Sequence, residues 1–223
     1  LLHSGKGGGL SDMFGGGMGS AAQGSTVVEK NLDRMTVVAA VIFGFTTLAL
    51  FEDTDRGRPI RCLFSGDTVV DPAYWGTQVL NFAWIRHVAR VRDEAPGTPL
   101  YWLLISKGVR TYRYLSAFAH HYVPGAPSTD DPDLCTLRDR LASRLFGPAF
   151  DPVRGIVTHD PPREHLAPAL AGLPRAGRAA IEAQCFARLN PGYIRGDELV
   201  CLCPLEPENM RPFARRLTRK AHA

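Results

Sequence analysis

From residue 35 to residue 51 the chain reads MTVVAAVIFGFTTLALF, without one charged side chain. These 17 residues would span about 25 Å as an α-helix, close to the roughly 30 Å of a membrane's hydrocarbon core. The stretch is apolar on every side, unlike the one-sided stripe of a surface helix. It predicts a membrane-spanning helix, and a helix buried in a protein core is the alternative.

The sequence before this stretch is rich in glycine. Residues 1–24 show neither helical nor strand periodicity, so they predict a flexible loop. Residues 25–51 open with polar positions, where Ser25 or Thr26 can cap a helix whose first turn carries Glu29. We therefore expect a loop followed by an amphipathic entry into the apolar helix.

Two motifs lie around the start of this helix. The first reads SGKGGGLSDMFGG over residues 4–16, and the second reads VEKNLDRMT over residues 28–36. Together they resemble SecG, the small subunit of the bacterial preprotein translocase, in which a glycine-rich cytosolic loop joins two membrane helices. The resemblance covers residues 1–50 and implies a non-catalytic role in protein export, with no cofactor. The partners that it implies are the inner membrane and the translocase channel subunits.

The resemblance is incomplete. The family's first helix is absent except for Leu1 and Leu2, and Glu52 and Asp53 cut the second one short. Because the chain opens on leucine, we expect a fragment or a processed product with a single surviving membrane helix.

The rest of the chain has the composition of a soluble protein. Residues 52–60 predict a charged, turn-rich linker. Residues 61–70 predict a strand with a bulge at Gly66, and the apolar run LYWLLIS over residues 100–106 predicts a strand buried on both faces. The other predicted elements are helices over residues 76–92, 110–121, 134–146 and 176–189, and strands over residues 155–159 and 198–203. This order predicts an α/β domain over residues 61–223 with a right-handed crossover and a parallel or mixed sheet.

The junction between the first strand and the first helix of this domain reads VDPAYWGTQVL over residues 70–80. It resembles the acyl-CoA pyrophosphate loop of the GCN5-related N-acetyltransferases (GNAT), in which backbone N–H groups at a helix start hold the phosphates. The match departs from the family at Ala73 and Gln78, and the family's first three strands would fall before residue 60, so the fold would be an incomplete GNAT domain. The resemblance implies acyl-CoA as cofactor, and a tyrosine that protonates the leaving thiolate. The implied cofactor-binding residues are Val70, Tyr74, Trp75, Gly76, Thr77 and Gln78, and the implied catalytic residues are Tyr112 and Tyr114.

Charge and cysteine usage narrow the possible functions. The net charge is only +4, and the densest basic run lies at residues 211–220, where a solvated helix end is favoured over a phosphate or lipid contact. No aromatic side chains alternate with that run, so nucleic acid is not an expected partner. The five cysteines are an odd number at irregular spacing, which indicates a reducing compartment for the C-terminal part. Cys201 and Cys203 predict two core residues on one strand face rather than a metal site.

Three hypotheses follow. In the first, residues 1–50 act in protein export at the inner membrane. In the second, residues 52–223 are an acyl-CoA-dependent N-acyltransferase or its remnant, and polar residues such as Asp67 and Glu198 are worth testing as bases. In the third, the two halves derive from different genes joined by a frameshift or an assembly error, and the C-terminal domain on its own would be cytoplasmic.

Overall fold

The computed structural model describes residues 35–40, 44–70, 79–125, 131–159 and 171–220. The strands are β1 Met35–Ala40, β2 Gly44–Asp55, β3 Arg58–Val70, β4 Leu100–Ser106, β5 Phe150–Asp151, β6 Ile156–Val157 and β7 Glu198–Pro204. The helices are α1 Val79–Asp93, α2 Val109–Phe118, α3 Pro132–Phe146, α4 Gly177–Leu189 and α5 Pro212–Lys220.

All these strands belong to one mixed sheet with the order β1-β2-β3-β4-β7-β6-β5. The neighbours β3 and β4 run parallel, as two strands joined through helix α1 must, and every other neighbouring pair is antiparallel. β2 and β3 form a long hairpin whose turn contains Arg56 and Gly57, both with positive φ (50° and 77°). The mixed α/β sheet expected from the sequence is thus confirmed.

Helices cover both faces of the sheet. One face packs against α1, α2, α4 and α5, with Trp102, Leu104 and Cys201 among its buried side chains. The other packs against α3 and contains Phe64 and Leu103. Helix α3 begins at Pro132, two residues before the predicted start, because the Asp131 carboxylate accepts a hydrogen bond from the Leu134 N–H (2.9 Å) and proline occupies the first helical position.

The predicted membrane-spanning helix over residues 35–51 is wrong in the described part of this stretch, where β1 and β2 lie side by side as antiparallel strands. Leu48 and Phe51 are buried against the rest of the sheet. An uncharged run rich in valine, threonine and phenylalanine also suits a strand when a neighbouring strand supplies the hydrogen bonds. The predicted linker over residues 52–60 is also wrong: these residues form the end of β2, the turn and the start of β3. Among the described residues, no α-helix has both the length and the apolar character needed to cross a bilayer.

The later elements agree closely with the sequence-based predictions. Helix α1 starts at Val79, and β4 is buried along nearly its whole length. Cys201 and Cys203 point into one core while Val200 and Leu202 point into the other, which confirms the predicted alternation on β7. The predicted loop over residues 1–24 and the polar entry up to residue 34 lie outside the described residues.

Candidate functional site

The two parallel strands of the sheet separate at their carboxyl ends. β3 pairs with β4 only from Arg61–Leu100 to Ser65–Leu104, although β3 continues to Val70. The register of β3 against β2 shifts between the pairs Thr47–Gly66 and Phe45–Val69, which is a bulge beside the predicted Gly66. The carboxyl ends of parallel strands are where α/β sheets commonly bind ligands.

A narrow crevice of about 30 Å³ lies at this separation, between the sheet and the helices α1 and α2. Its lining is mainly aromatic and aliphatic, with a few hydroxyl and amide groups, as in many small-molecule sites. The lining residues are Ser65, Thr68, Leu80, Asn81, Trp84, Trp102, Leu104, Thr111, Tyr114 and Phe118. We treat this crevice as the candidate functional site.

Two tryptophans form the inner wall of the crevice. Their ring centroids are 4.7 Å apart with an interplanar angle of 43°. Trp102 donates its Nε1–H to the Ser65 hydroxyl oxygen at 2.7 Å. Trp84 is 9% exposed, and its Nε1–H has no hydrogen-bond partner among the described residues. Because a buried indole N–H normally has an acceptor, Trp84 offers a free donor to a ligand in the crevice.

Of the two predicted catalytic tyrosines, Tyr114 lines the crevice. Its ring stacks on Phe118 with centroids 5.8 Å apart and planes 3° from parallel. Burial raises the pKa of the Tyr114 phenol, more than the nearby Arg110 charge lowers it. Tyr114 therefore keeps its proton at neutral pH and can donate it.

Tyr112 lies elsewhere on α2. It is fully buried, packs against Tyr122 and Phe186, and donates its hydroxyl to the Pro124 carbonyl oxygen at 3.0 Å. Burial raises its pKa strongly. Tyr112 is not among the residues that line the crevice, and its contacts are those of a core residue.

The predicted cofactor-binding residues lie mostly beyond what the structure describes. Val70 is the last residue of β3, so the segment that follows leaves the carboxyl end of that strand. Residues 74–78, and with them Tyr74, Trp75, Gly76, Thr77 and Gln78, fall outside the described ranges, as does the side chain of Asp67. Ser65, Trp84 and Trp102 are not expected as site residues from the sequence, because a tryptophan at helical or strand spacing usually indicates a core position.

Glu198, the other polar residue considered from the sequence, is buried at the start of β7. Its carboxylate lies 3.9 Å from the Lys107 Nζ and 3.7 Å from the His159 Nε2. β-strand alternation places Glu198 with Val200 and Leu202, on the sheet face opposite the crevice. It is a paired structural carboxylate, and the described residues contain no cluster suited to a metal ion.

A larger groove of about 370 Å³ lies at the opposite end of β4, beside Pro99 and Leu205. Arg92, Asp93 and Glu206 supply its charged side chains. Burial raises the pKa of Glu206. This end of the sheet carries the amino end of β4, and its described residues include no buried donor without a partner. The smaller crevice is the better candidate for two reasons. It lies at the carboxyl ends of the parallel strands, and it is lined by Trp84, whose Nε1–H has no acceptor among the described residues.

The comparisons with known proteins concern the other end of the chain. Residues 1–54 match the family model of the preprotein translocase SecG subunit. The chain is 64% identical over 50 residues to the protein-export membrane protein SecG of Corynebacterium glutamicum, covering 22% of this chain and 65% of that protein. It is 68% identical over 41 residues to SecG of Streptomyces coelicolor, covering 18% and 40%.

A probable SecG of Mycobacterium leprae is 63% identical over 43 residues, covering 19% of this chain and 56% of that protein. The chain thus spans between two fifths and two thirds of these relatives. No solved structure matches the chain significantly. The predicted resemblance of residues 1–50 to SecG is confirmed, and it extends through most of β2.

Proposed function

We propose that residues 1–54 act as a SecG-type element of protein export, beside the channel subunits of the preprotein translocase at the bacterial inner membrane. The observation that carries this proposal is the 64% identity over 50 residues to a protein-export membrane protein. The residues that match the SecG family model include the glycine-rich motif and the polar motif quoted above, and neither contains a residue pattern for catalysis. The role is therefore one of binding and assembly.

The structure adds a physical link between this element and the α/β domain. Leu48 and Phe51 of β2 are 2% and 8% exposed, within the two cores of the sheet. The Asp53 carboxylate accepts hydrogen bonds from Arg140 and Arg144 of α3, at 2.8 and 2.7 Å. When β2 is folded into the sheet, residues 44–54 are therefore held against the α/β domain.

The test of the export proposal is a transport assay in vesicles that contain the translocase channel without its own SecG. Adding the full chain should raise the rate at which a precursor protein enters the vesicles. A matched chain of residues 35–223 keeps both strands and lacks the two-motif segment, so it should add nothing. Equal rates with and without the full chain would remove the proposal.

A second function is favoured by the crevice: the α/β domain takes the acyl end of an acyl-CoA. The parallel pair β3–β4 opens at its carboxyl ends, and the loop resembling the GNAT phosphate loop follows β3 directly. The unpartnered Trp84 Nε1–H suits a carbonyl oxygen. A crevice of about 30 Å³ accommodates only a small group, so the described residues fit the acyl end rather than the nucleotide.

In this second function a thioester supplies an activated acyl group, and an amine attacks it, so that an amide forms and the carbon–sulfur bond breaks. Tyr114 would transfer its phenolic proton to the departing sulfur, since its raised pKa keeps it protonated at neutral pH. Trp84 would hold the acyl oxygen, and the adjacent, tilted ring of Trp102 would hold Trp84 in place. The attacking amine loses its extra proton to solvent.

Calorimetry of the full chain with acetyl-CoA tests this second function. Binding should be detectable, and Trp84→Phe should weaken it because the N–H donor is lost. The control is Tyr101→Phe, which removes a polar group from the opposite sheet face. Tyr114→Phe should preserve binding and slow the release of free thiol in the presence of a primary amine. Absence of heat at millimolar acetyl-CoA would exclude acyl-CoA binding.

A further inference from the structure

A stripe of side chains along α1 is exposed, and the acidic residues Asp93 and Glu94 follow it at the end of the helix, where Glu94 is paired with Arg61. Phe82, Arg86 and Arg90 follow one another at intervals of four, so they lie on one face of the helix. All three are exposed. Trp84, Ile85 and Val88 occupy the buried face. The stripe is therefore an outer surface of the domain.

Helix α5 extends this surface. Its buried Ala214 faces the core, whereas Phe213 and Arg216 are exposed. The Phe213 ring contacts the Phe82 ring across the two helices, with centroids 6.0 Å apart. Phe82 and Phe213, at 36% and 40% exposure, are the exposed aromatic side chains of the described residues. We call the surface formed by Phe82, Arg86, Arg90, Phe213 and Arg216 the α1–α5 face.

The start of α5 is firmly held against the domain. The Arg211 Nε donates hydrogen bonds to the Ser116 carbonyl at 2.7 Å and to the Ala119 carbonyl at 3.1 Å. The Arg211 backbone N–H donates to the Phe118 carbonyl. The exposed side of α5 is thus presented in a fixed orientation relative to α1.

The charges of the α1–α5 face are available for an external partner. Arg86, Arg90 and Arg216 take part in no ion pair with the described residues, whereas other exposed arginines such as Arg140 and Arg144 are paired with carboxylates. Two phenylalanines in contact with each other, on the same helices as three arginines without an ion pair to the described residues, combine apolar area with positive charge. A monomeric domain gains nothing in stability from such an arrangement.

We propose that the α1–α5 face docks onto an anionic phospholipid membrane surface. The phenylalanines would enter the boundary between headgroups and acyl chains, and the arginines would contact lipid phosphates. The charge complementarity and the small apolar centre carry this proposal, and residues 1–54 of the same chain are similar to proteins named as membrane proteins. The two rings contact each other, so they do not form the spaced stacking platform that single-stranded nucleic acid requires. The proposal does not depend on the crevice.

The test is hydrogen–deuterium exchange of the full chain with and without vesicles, followed in peptides from α1 and α5. These peptides should be protected by vesicles of equimolar phosphatidylcholine and phosphatidylglycerol, but not by phosphatidylcholine alone. Because the readout is local, binding of residues 1–34 to the same vesicles does not obscure it. Each arginine at an anionic surface strengthens binding roughly fivefold. The triple variant Arg86→Gln/Arg90→Gln/Arg216→Gln should therefore need about a hundredfold more lipid for half-maximal protection.

A variant with the same change in charge serves as the control. Arg58, Arg154 and Arg195 are exposed elsewhere on the domain, so their replacement by glutamine should leave the lipid dependence within about twofold, since distant surface charges are largely screened. Protection that is equal on neutral vesicles, or absent on both kinds, would overturn the proposal. Stronger protection by a single-stranded oligonucleotide than by anionic vesicles would also overturn it and assign the face to nucleic acid.

Discussion

Trp84 and Trp102 differ in one hydrogen bond, although they share a wall of the same crevice. Replacing either by phenylalanine removes a similar volume, but only Trp102→Phe breaks a bond, the one to Ser65. We expect Trp102→Phe to lower the free energy of unfolding by about 1–3 kcal/mol more than Trp84→Phe does. Urea unfolding followed by circular dichroism measures both. An equal cost for the two variants would mean that Trp84 also has a partner in solution.

Asp53 gives the molecule a pH-dependent contribution to stability. Burial would raise the pKa of its carboxyl, but hydrogen bonds from Arg140, the Thr54 N–H and Arg144 together outweigh burial and lower it below 3.8. A lowered pKa stabilises the fold at pH values above 3.8, and this contribution disappears as the pH falls through the folded-state pKa.

We therefore expect Asp53→Asn to cost about 1–3 kcal/mol at neutral pH, with a difference from the wild type that shrinks below pH 3.8. Urea titrations at several pH values measure this difference. The neighbouring Asp55, which is 3.6 Å from Arg140, is the matched control, and Asp55→Asn should cost less than about 1 kcal/mol. A difference that stays constant down to low pH would show that the Asp53 contacts are not electrostatic.

Some individual residues of the site could be predicted from the sequence, and others could not. Tyr114 was implied by the resemblance to the GNAT family; the structure places it in the crevice lining, and its catalytic role stays a prediction. Its neighbour Tyr112 was proposed with it, because sequence spacing alone does not tell which tyrosine faces the core. Trp84 was missed for the same reason, since only three-dimensional packing reveals that its N–H lacks an acceptor.

At the scale of elements, β3 is closely packed at Gly66, the first residue beyond its last pair with β4. A Cβ there would lie 3.0 Å from the Phe64 Cζ and 3.2 Å from the Ile105 Cδ1, both in buried side chains. We expect Gly66→Ala to destabilise the domain by about 1–3 kcal/mol through overpacking. Gly172→Ala is the control, because a Cβ at Gly172 meets nothing within 4 Å. Thermal unfolding distinguishes the two, and equal melting temperatures would contradict the packing argument.

The elements that were predicted well are those with a distinctive period or length. β4 is a short apolar run that ends at Ser106 and is bounded by Pro99 and Lys107, and α3 agrees with its predicted range to within two residues. The stretch over residues 35–51 has no polar position that would set a period, so a membrane helix and paired strands fit its composition equally. The described residues of this stretch form strands because β2 makes backbone hydrogen bonds with β3, which lies farther along the chain. A contact of that kind cannot be read from the stretch itself.

At the scale of the whole molecule, the segment similar to SecG and the α/β domain share one sheet. β2 runs through the boundary at Glu52 without interruption and pairs with β3 along nearly its full length. Burial of Leu48 and Phe51 contributes about 1.5–3 kcal/mol each, and the ladder to β3 adds to this. The whole domain is expected to be stable by only about 5–15 kcal/mol, so the contribution of β2 is a large part of the total.

A chain of residues 56–223 should therefore lack a cooperative thermal transition, whereas residues 35–223 should show one. Circular dichroism and size-exclusion chromatography measure the difference, and the exposed edge of β3 should make the shorter chain associate. The comparison also tests the hypothesis that the two halves derive from different genes. If the shorter chain unfolds cooperatively at the same temperature as the longer one, β1 and β2 add nothing to the fold, as two unrelated halves would predict. If it fails to fold, the α/β domain requires the strand that crosses the boundary, and the two halves are one folding unit.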